Sequence, residues 1–138
     1  MEILYPMFVV ILLSGVLFLI MAGTRVPSIL KYFGNLQAAK HSDDLRPNLP
    51  DLGRNITDNY NHLFEQPTLF YAVVLVIWAL GHTDITHLTA AWAYCGLRCV
   101  HSIVQVTINH VWLRFSLFSL SWVALATMLT REVLAALG

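Results

Sequence analysis

Four long apolar runs constrain the fold of this chain more than any other feature of its sequence. They cover about residues 3–23, 60–80, 88–109 and 112–137. A helix needs roughly 20 residues to cross the hydrocarbon layer of a bilayer, and each run has about that length. Because 57% of the 138 residues are hydrophobic and only 12% are charged, the chain lacks the polar surface of a small soluble domain. We predict an all-α integral membrane protein, a bundle of four transmembrane helices.

One long polar segment, about residues 24–59, separates the first two apolar runs. It contains five of the eight basic residues of the chain, namely Arg25, Lys31, Lys40, Arg46 and Arg54. By the positive-inside rule this loop is cytoplasmic, which places both termini on the opposite side of the membrane. Pro47, Pro50 and Gly53 break helices, whereas residues 26–40 can form a short interfacial helix.

The remaining boundaries favour a single domain over residues 1–138. The first run predicts a retained helix rather than a signal peptide, because Glu2 stands in place of a basic n-region. Only "NHVW", residues 109–112, separates the last two runs, so we predict a tight helical hairpin, with one long kinked helix as the alternative. Eight basic residues balance eight acidic ones, which leaves no basic surface for nucleic acid. The short chain fits a bacterial inner membrane, although the endoplasmic reticulum would give the same orientation.

A polar stripe runs along the third predicted helix. Successive helical residues turn by about 100°, so one face carries Tyr94, Arg98, His101, Gln105 and Asn109. At about 1.5 Å per residue, Arg98 lies about 16 Å from Asn109, near mid-membrane. An arginine there costs at least about 2.5–3.5 kcal/mol on insertion scales. We therefore predict that this face points into the bundle and that Arg98 has a polar partner.

The second helix offers that partner. Asn61, Glu65 and Thr68 share one face at spacings of four and three, and a carboxylate in hydrocarbon is as costly as an arginine. We predict that Glu65 pairs with Arg98, within one subunit or across an interface, and a purely structural ion pair is one interpretation. With Arg114 at the start of the fourth helix, the same groups also suit a small zwitterionic ligand that carries several carboxylates.

At these residues the sequence resembles the family of membrane-associated proteins in eicosanoid and glutathione metabolism, MAPEG. The resemblance covers the whole chain and includes Asn61 with a nearby Glu65 and Pro67 on the second helix. The spacing Arg98-x-x-His101-x-x-x-Gln105-x(8)-Arg114 is similar to that of the prostaglandin E synthase branch. The resemblance implies a homotrimer in the membrane, with glutathione bound as cosubstrate between neighbouring subunits near the cytoplasmic side.

Residue roles follow from the resemblance. Arg114 corresponds to the arginine that stabilises the glutathione thiolate, the catalytic role. The candidate contacts for glutathione are Asn61, Glu65, Arg98, His101 and Gln105. Arg25 is a further candidate for a carboxylate contact, or else an interfacial anchor. No metal site is predicted, because Cys95 and Cys99 lie on one helix without a second ligand pair, and Asp84 between His82 and His87 is typical of a helix cap, as is Thr86.

The implied function is that of a glutathione-dependent transferase or peroxidase acting on a lipophilic electrophile that arrives from the lipid. Gln105 stands where the prostaglandin and leukotriene branches have a tyrosine, and Thr57 where they have an arginine. These differences favour the alternative, a non-catalytic lipid-binding or accessory membrane protein of the same fold. A small transporter subunit is a third possibility, since the chain carries an intramembrane acid and base.

Overall fold

The computed structural model describes residues 1–38, 40–41 and 45–138, and it is all-helical. The described residues form five α-helices: α1 (Leu4–Phe33), α2 (Asp51–His62), α3 (Gln66–Leu80), α4 (Ile85–Val106) and α5 (Val111–Leu137). Short 3-10 turns cover Leu36–Ala38 and Arg46–Asn48. Helices α4 and α5 pack along each other, and α1 lies against α2, α3 and α4.

Three stretches of the described chain are long and apolar enough to cross a membrane. They are Leu4–Phe33, Asp51–Leu80, in which α2 and α3 follow each other, and Val111–Leu137. Helix α4 has 22 residues and is long enough to cross a membrane. Its polar stripe lowers its mean hydropathy, however, so it is not as apolar as these three stretches. The chain is therefore a membrane protein, and a fourth crossing by α4 stays a prediction.

Helix α1 extends ten residues beyond its predicted end at residue 23. Apolar residues continue at helical spacing past Pro27, and Ile29 packs with Phe33 against Leu45 and Leu49. The helix ends at Gly34, whose φ of 67° is the left-handed conformation that glycine adopts without strain. The predicted loop at 24–59 and the separate interfacial helix at 26–40 are therefore wrong, because this segment begins as a continuation of α1.

The second apolar run is not one helix over 60–80. Helix α2 begins at Asp51 and ends at His62, and α3 begins at Gln66. Pro67 causes the interruption, because it has no N–H to donate to the carbonyl of Leu63 and its ring collides with that carbonyl in a continuous helix. The break lies next to the polar stripe and re-aims the side chains on either side of it.

The tight hairpin between the last two helices is confirmed, with its boundaries moved. Helix α4 ends at Val106, three residues before the predicted end, and α5 begins at Val111. Asn109 lies in the connection with a φ of 48°, so it does not belong to the helical face on which it was predicted. Its backbone N–H donates to the carbonyl of Val104 over 2.8 Å, which closes the turn.

At the other end of α4, Asp84 is the N-cap, as predicted. Its Oδ1 accepts a hydrogen bond from the backbone N–H of His87 over 2.8 Å, and its Oδ2 accepts one from Arg131 of α5. Nearby, the Nδ1 of His82 lies 2.9 Å from a carboxylate oxygen of Glu132. The hydrogen bond from His87 lowers the pKa of Asp84 most, and the charges of His87 and Arg131 lower it further. This acidic and basic cluster joins α3, α4 and α5.

The Asp84 cap predicts a sensitivity to acid. A carboxylate with a lowered folded-state pKa stabilises the fold above its unfolded-state pKa, which is about 3.9, and this contribution is lost as the pH falls through the folded-state pKa. We expect the midpoint temperature of unfolding of the wild type to decrease as the pH is lowered below about 4. Asp84→Asn still caps the helix but cannot ionise, so its midpoint temperature should decrease less over the same range. Thermal unfolding in nanodiscs across this range measures both. An equally steep fall in Asp84→Asn would contradict the assignment.

Candidate functional site

The polar face of α4 points into the bundle, as predicted. Tyr94 and Arg98 are 0% exposed, and Gln105 and His101 are 1% and 4% exposed. Ser102, on the edge of the stripe, is also buried. The stripe therefore lies among α2, α3 and α5 rather than against lipid, where such side chains would lack partners.

Arg98 finds its partners at the break between α2 and α3. Its Nη2 donates to the carbonyl oxygen of His62 over 3.2 Å, and its Nη1 donates to Oε1 of Gln66 over 3.5 Å. The same Oε1 accepts from the hydroxyl of Ser121 of α5 over 2.9 Å. Arg98 thus connects α4 to the end of α2 and the start of α3, while its buried Nε has no partner among the described residues.

The predicted pairing of Arg98 with Glu65 within one chain is wrong. The Oε2 of Glu65 lies 3.1 Å from Nδ1 of His62, and the guanidinium of Arg98 bonds to the carbonyl and amide oxygens described above. Glu65 adopts φ −90° and ψ −96° just before α3, outside either helix, so the helical spacing that predicted the pairing does not apply to it. Pairing across a subunit interface stays a prediction.

His101 and Gln105 form a hydrogen-bonded chain that ends at Arg114. The Nδ1 of His101 faces the carbonyl oxygen of Arg114 at 3.1 Å, so this nitrogen carries the proton and Nε2 must accept. The amide of Gln105 accordingly donates from Nε2 to His101 over 3.1 Å. Its Oε1 then accepts from Nη2 of Arg114 over 3.1 Å and from the backbone N–H of Asn59 over 3.3 Å.

Arg114 is also held from the hairpin. Its Nη1 donates to Oδ1 of Asn109, whose Nδ2 in turn donates to Oδ1 of Asn55 of α2 over 2.8 Å. Asn109, predicted as the last member of the α4 stripe, is instead a loop residue that positions Arg114. The Nε of Arg114 is buried and has no partner in the described part of the chain.

Several buried polar residues of this network were not predicted from the sequence. Asn59 donates from Nδ2 to the carbonyl of Ser102 over 3.3 Å and accepts from the Ser102 hydroxyl over 3.2 Å. Gln66 and Ser121 connect to Arg98 as described above. Asn59 lies two residues before Asn61 in a helix that was predicted as loop, so no helical face could be assigned to it. Gln66 lies in the run that was predicted as one helix over 60–80, next to Glu65, and in a regular helix it would not share the face of Asn61, Glu65 and Thr68.

One cleft brings most of the predicted residues together. It has a volume of about 270 Å³. Its lining residues come from the end of α2, the α2–α3 break, α4 and the first two turns of α5, and they are His62, Glu65, Arg98, His101, Val111, Arg114, Phe115 and Phe118. Arg98 lies at the floor of the cleft with its side chain covered, whereas 63% of the Glu65 side chain is exposed. Two guanidinium groups, one carboxylate and several apolar side chains thus line the same cleft.

Two of the other predicted contacts lie in a second cleft of about 100 Å³, whereas the third, Gln105, is buried and lines neither cleft. Arg25 of α1 and Asn61 of α2 line it together with Thr57. Arg46 and Arg54 also line it, and each pairs with a carboxylate, Arg46 with Asp58 over 3.1 Å and Arg54 with Asp51. Asn61 directly precedes His62, which lines the first cleft, so adjacent residues of α2 serve the two clefts.

The chemistry of the first cleft is that of an anion site with one acidic group at its rim. A guanidinium suits a carboxylate or a thiolate, and the aromatic side chains suit an apolar molecule. Neither a curated protein nor a solved structure is similar enough to this chain to count as a match. The family comparison does identify it: the model of the MAPEG family matches residues 3–134. The chain therefore belongs to the MAPEG family, which includes glutathione transferases and peroxidases as well as non-catalytic members.

Proposed function

We propose that the protein is a glutathione-dependent transferase or peroxidase that acts on a lipophilic electrophile. The observation that supports this most is the cleft of about 270 Å³ that Arg98 and Arg114 line together with Val111, Phe115 and Phe118. Glutathione has two carboxylates, one ammonium and a thiol, so it needs cationic and anionic partners close together. The cleft offers both kinds beside residues that an apolar reaction partner can contact.

Arg114 would stabilise the thiolate. A free thiol has a pKa of about 8.5, and a nearby guanidinium lowers it because the charge favours the ionised form. Arg114 is held on two sides, by Gln105 and by Asn109, so its guanidinium is fixed before a ligand arrives. A donor that is already oriented toward developing negative charge costs little reorganisation during the reaction.

The remaining candidates have supporting roles in this proposal. Glu65 would take the ammonium of glutathione, and Arg98, whose charge no carboxylate in the described chain neutralises through a hydrogen bond, would attract its anionic groups from the floor. Arg25 and Asn61, in the second cleft, would contact a carboxylate of the same ligand. Phe115 and Phe118 would contact the lipophilic substrate, which reaches the cleft from the lipid.

The proposal includes an assembly and an orientation. We place the protein in a bacterial inner membrane as a homotrimer, with the segment between α1 and α2 in the cytoplasm and both termini on the opposite side. The basic residues Lys31, Lys40, Arg46 and Arg54, which lie at or near this segment, support the orientation.

One observation favours the non-catalytic alternative. Gln105 replaces the tyrosine of the catalytic branches, and both ends of its amide already have protein partners. Through these hydrogen bonds Gln105 fixes the side chains of His101 and Arg114 without contributing to proton transfer. In a lipid-binding or accessory protein, the same network would serve only to hold the helices together.

Titration of glutathione into the purified trimer in nanodiscs tests the proposal. We expect saturable heat of binding in calorimetry, and weaker binding of S-methylglutathione, which cannot form the thiolate that Arg114 stabilises. Conjugation of chlorodinitrobenzene measures turnover in the same sample. An assembled protein that binds no glutathione would reject the transferase function and favour the accessory role.

A further inference from the structure

We propose that His62 is the general base that takes the proton from the glutathione thiol, with Glu65 as the residue that orients it. This inference rests on the proposed function and adds to it a catalytic residue that the sequence did not single out. It also supplies the proton acceptor that Gln105 cannot be, since an amide has no basic nitrogen at neutral pH.

The contact between His62 and Glu65 sets the tautomer of the imidazole. The Nδ1 of His62 lies 3.1 Å from Oε2 of Glu65, and an ionised carboxylate only accepts hydrogen bonds. The proton of the neutral ring is therefore on Nδ1, and Nε2 carries the lone pair. Within the described residues, no group occupies Nε2 with a hydrogen bond, 41% of the His62 side chain is exposed, and His62 is one of the residues that line the cleft.

The other groups that line the cleft are unsuitable as bases. Both ring nitrogens of His101 are engaged, Nδ1 with the carbonyl of Arg114 and Nε2 with the amide of Gln105. The guanidinium groups of Arg98 and Arg114 have no lone pair to offer. Glu65 itself directs one oxygen to His62. A carboxylate that orients an imidazole, which in turn takes the proton of a thiol, is an arrangement that activates nucleophiles in many enzymes.

The backbone of His62 is fixed as well as its ring. Its carbonyl oxygen accepts from Nη2 of Arg98 over 3.2 Å at the last residue of α2, and this bond ties the end of α2 to α4. The buried arginine thus holds the backbone of a residue that lines the cleft. Removal of Arg98, which holds the carbonyl of His62, or of Glu65, which holds its ring, would therefore free the proposed base to move as well as weaken the contact between helices.

The proposed step conserves atoms and charge. The thiol of glutathione gives its proton to Nε2 of His62, which becomes an imidazolium beside the carboxylate of Glu65, and the thiolate forms next to Arg114. With an epoxide as the electrophile, the sulfur forms a bond to an epoxide carbon while the carbon–oxygen bond of the ring breaks. The alkoxide oxygen then takes the proton from Nε2, which restores neutral His62.

His62→Gln tests the base directly. At saturating glutathione we expect kcat to fall about 100-fold, within the range that general bases contribute, while glutathione affinity stays within about twofold. Since hydroxide can replace a missing base, the rate of this variant should rise with pH where that of the wild type has levelled, and added imidazole should restore part of the rate.

Glutathione bound to the variant at neutral pH should also lose the ultraviolet absorbance of a thiolate. His41→Gln, in the segment between α1 and α2, is the matched control and should behave as the wild type.

The outcomes separate this inference from the proposed function. If the wild type binds and conjugates glutathione but His62→Gln keeps its kcat within about threefold, the base is wrong and the transferase function stands. If the wild type binds no glutathione, the proposed function falls and this step falls with it. Glu65→Gln, which keeps the hydrogen bond but not the charge, should lower kcat by about tenfold, and an unchanged kcat would overturn the role given to Glu65.

Discussion

Replacement of Arg98 by methionine is expected to weaken glutathione binding about 100-fold and to change the free energy of unfolding by less than about 1 kcal/mol. The side chain is fully covered, so its charge acts on the cleft from below. At about 5 Å and an effective dielectric constant of about 20, a unit charge contributes about 3 kcal/mol toward an anion. A loss of about 100-fold in affinity corresponds to about 2.7 kcal/mol, which lies within that contribution.

The small stability effect follows from the acceptors that Arg98 would leave behind. The carbonyl of His62 still accepts from the N–H of Glu65 over 3.4 Å, and Oε1 of Gln66 still accepts from Ser121 over 2.9 Å. Because both acceptors keep a hydrogen bond, the variant loses only the stabilisation of the two charge-assisted hydrogen bonds from Arg98. Removal of a buried charge recovers several kcal/mol of desolvation, so the two effects nearly cancel.

Arg98→Ala serves as the comparison, because it removes volume as well as charge. The cavity it leaves should cost about 2–3 kcal/mol, whereas its glutathione affinity should equal that of Arg98→Met. Calorimetric titration in nanodiscs and denaturant unfolding of the same samples measure the two quantities. The opposite result would be a free energy of unfolding that is several kcal/mol lower in Arg98→Met, with unchanged glutathione affinity. Arg98 would then have only a structural role, and the non-catalytic accessory function would be favoured.

The polar stripe of α4 could be predicted because helical geometry alone determines it. Arg98, His101 and Gln105 are buried on one face as their spacing requires. Helix ends were less predictable, since they depend on contacts with other segments. Ile29 keeps α1 helical past residue 23 by packing against Leu45 and Leu49, residues that lie beyond the helix in sequence.

The partner of Arg98 could not be predicted in the same way. The expected pairing assumed one regular helix through Glu65, but Pro67 ends that regularity and turns the carboxylate toward His62. A proline near a helix start indicates a break without giving the directions of the side chains around it. For the same reason, Asn61 and Glu65, four residues apart, line different clefts.

Replacement of Arg114 by glutamine is expected to lower kcat for glutathione conjugation by 100- to 1,000-fold, about the cost of removing one preorganised donor to a developing anion. The variant loses the charge that favours the thiolate, so glutathione bound to it should lack thiolate absorbance at neutral pH. Because Gln105 and Asn109 hold the guanidinium in place, Arg114→Lys should recover only part of the rate: an ammonium keeps the charge without the two-sided geometry.

A matched control separates the local effect of Arg114 from the loss of one positive charge. Arg131 lies 17 residues further along α5, about 26 Å along the helix axis, and pairs with Asp84 at the other end of the bundle. Arg131→Gln should weaken that cluster and leave kcat unchanged, because Arg131 is paired with Asp84 and a unit charge about 26 Å away contributes only about 0.6 kcal/mol at an effective dielectric constant of about 20. A rate for Arg114→Gln that matches the rate of Arg131→Gln would mean that the thiolate is stabilised elsewhere. A large loss of rate in Arg114→Gln alone, with glutathione still bound, would locate thiolate formation at the start of α5.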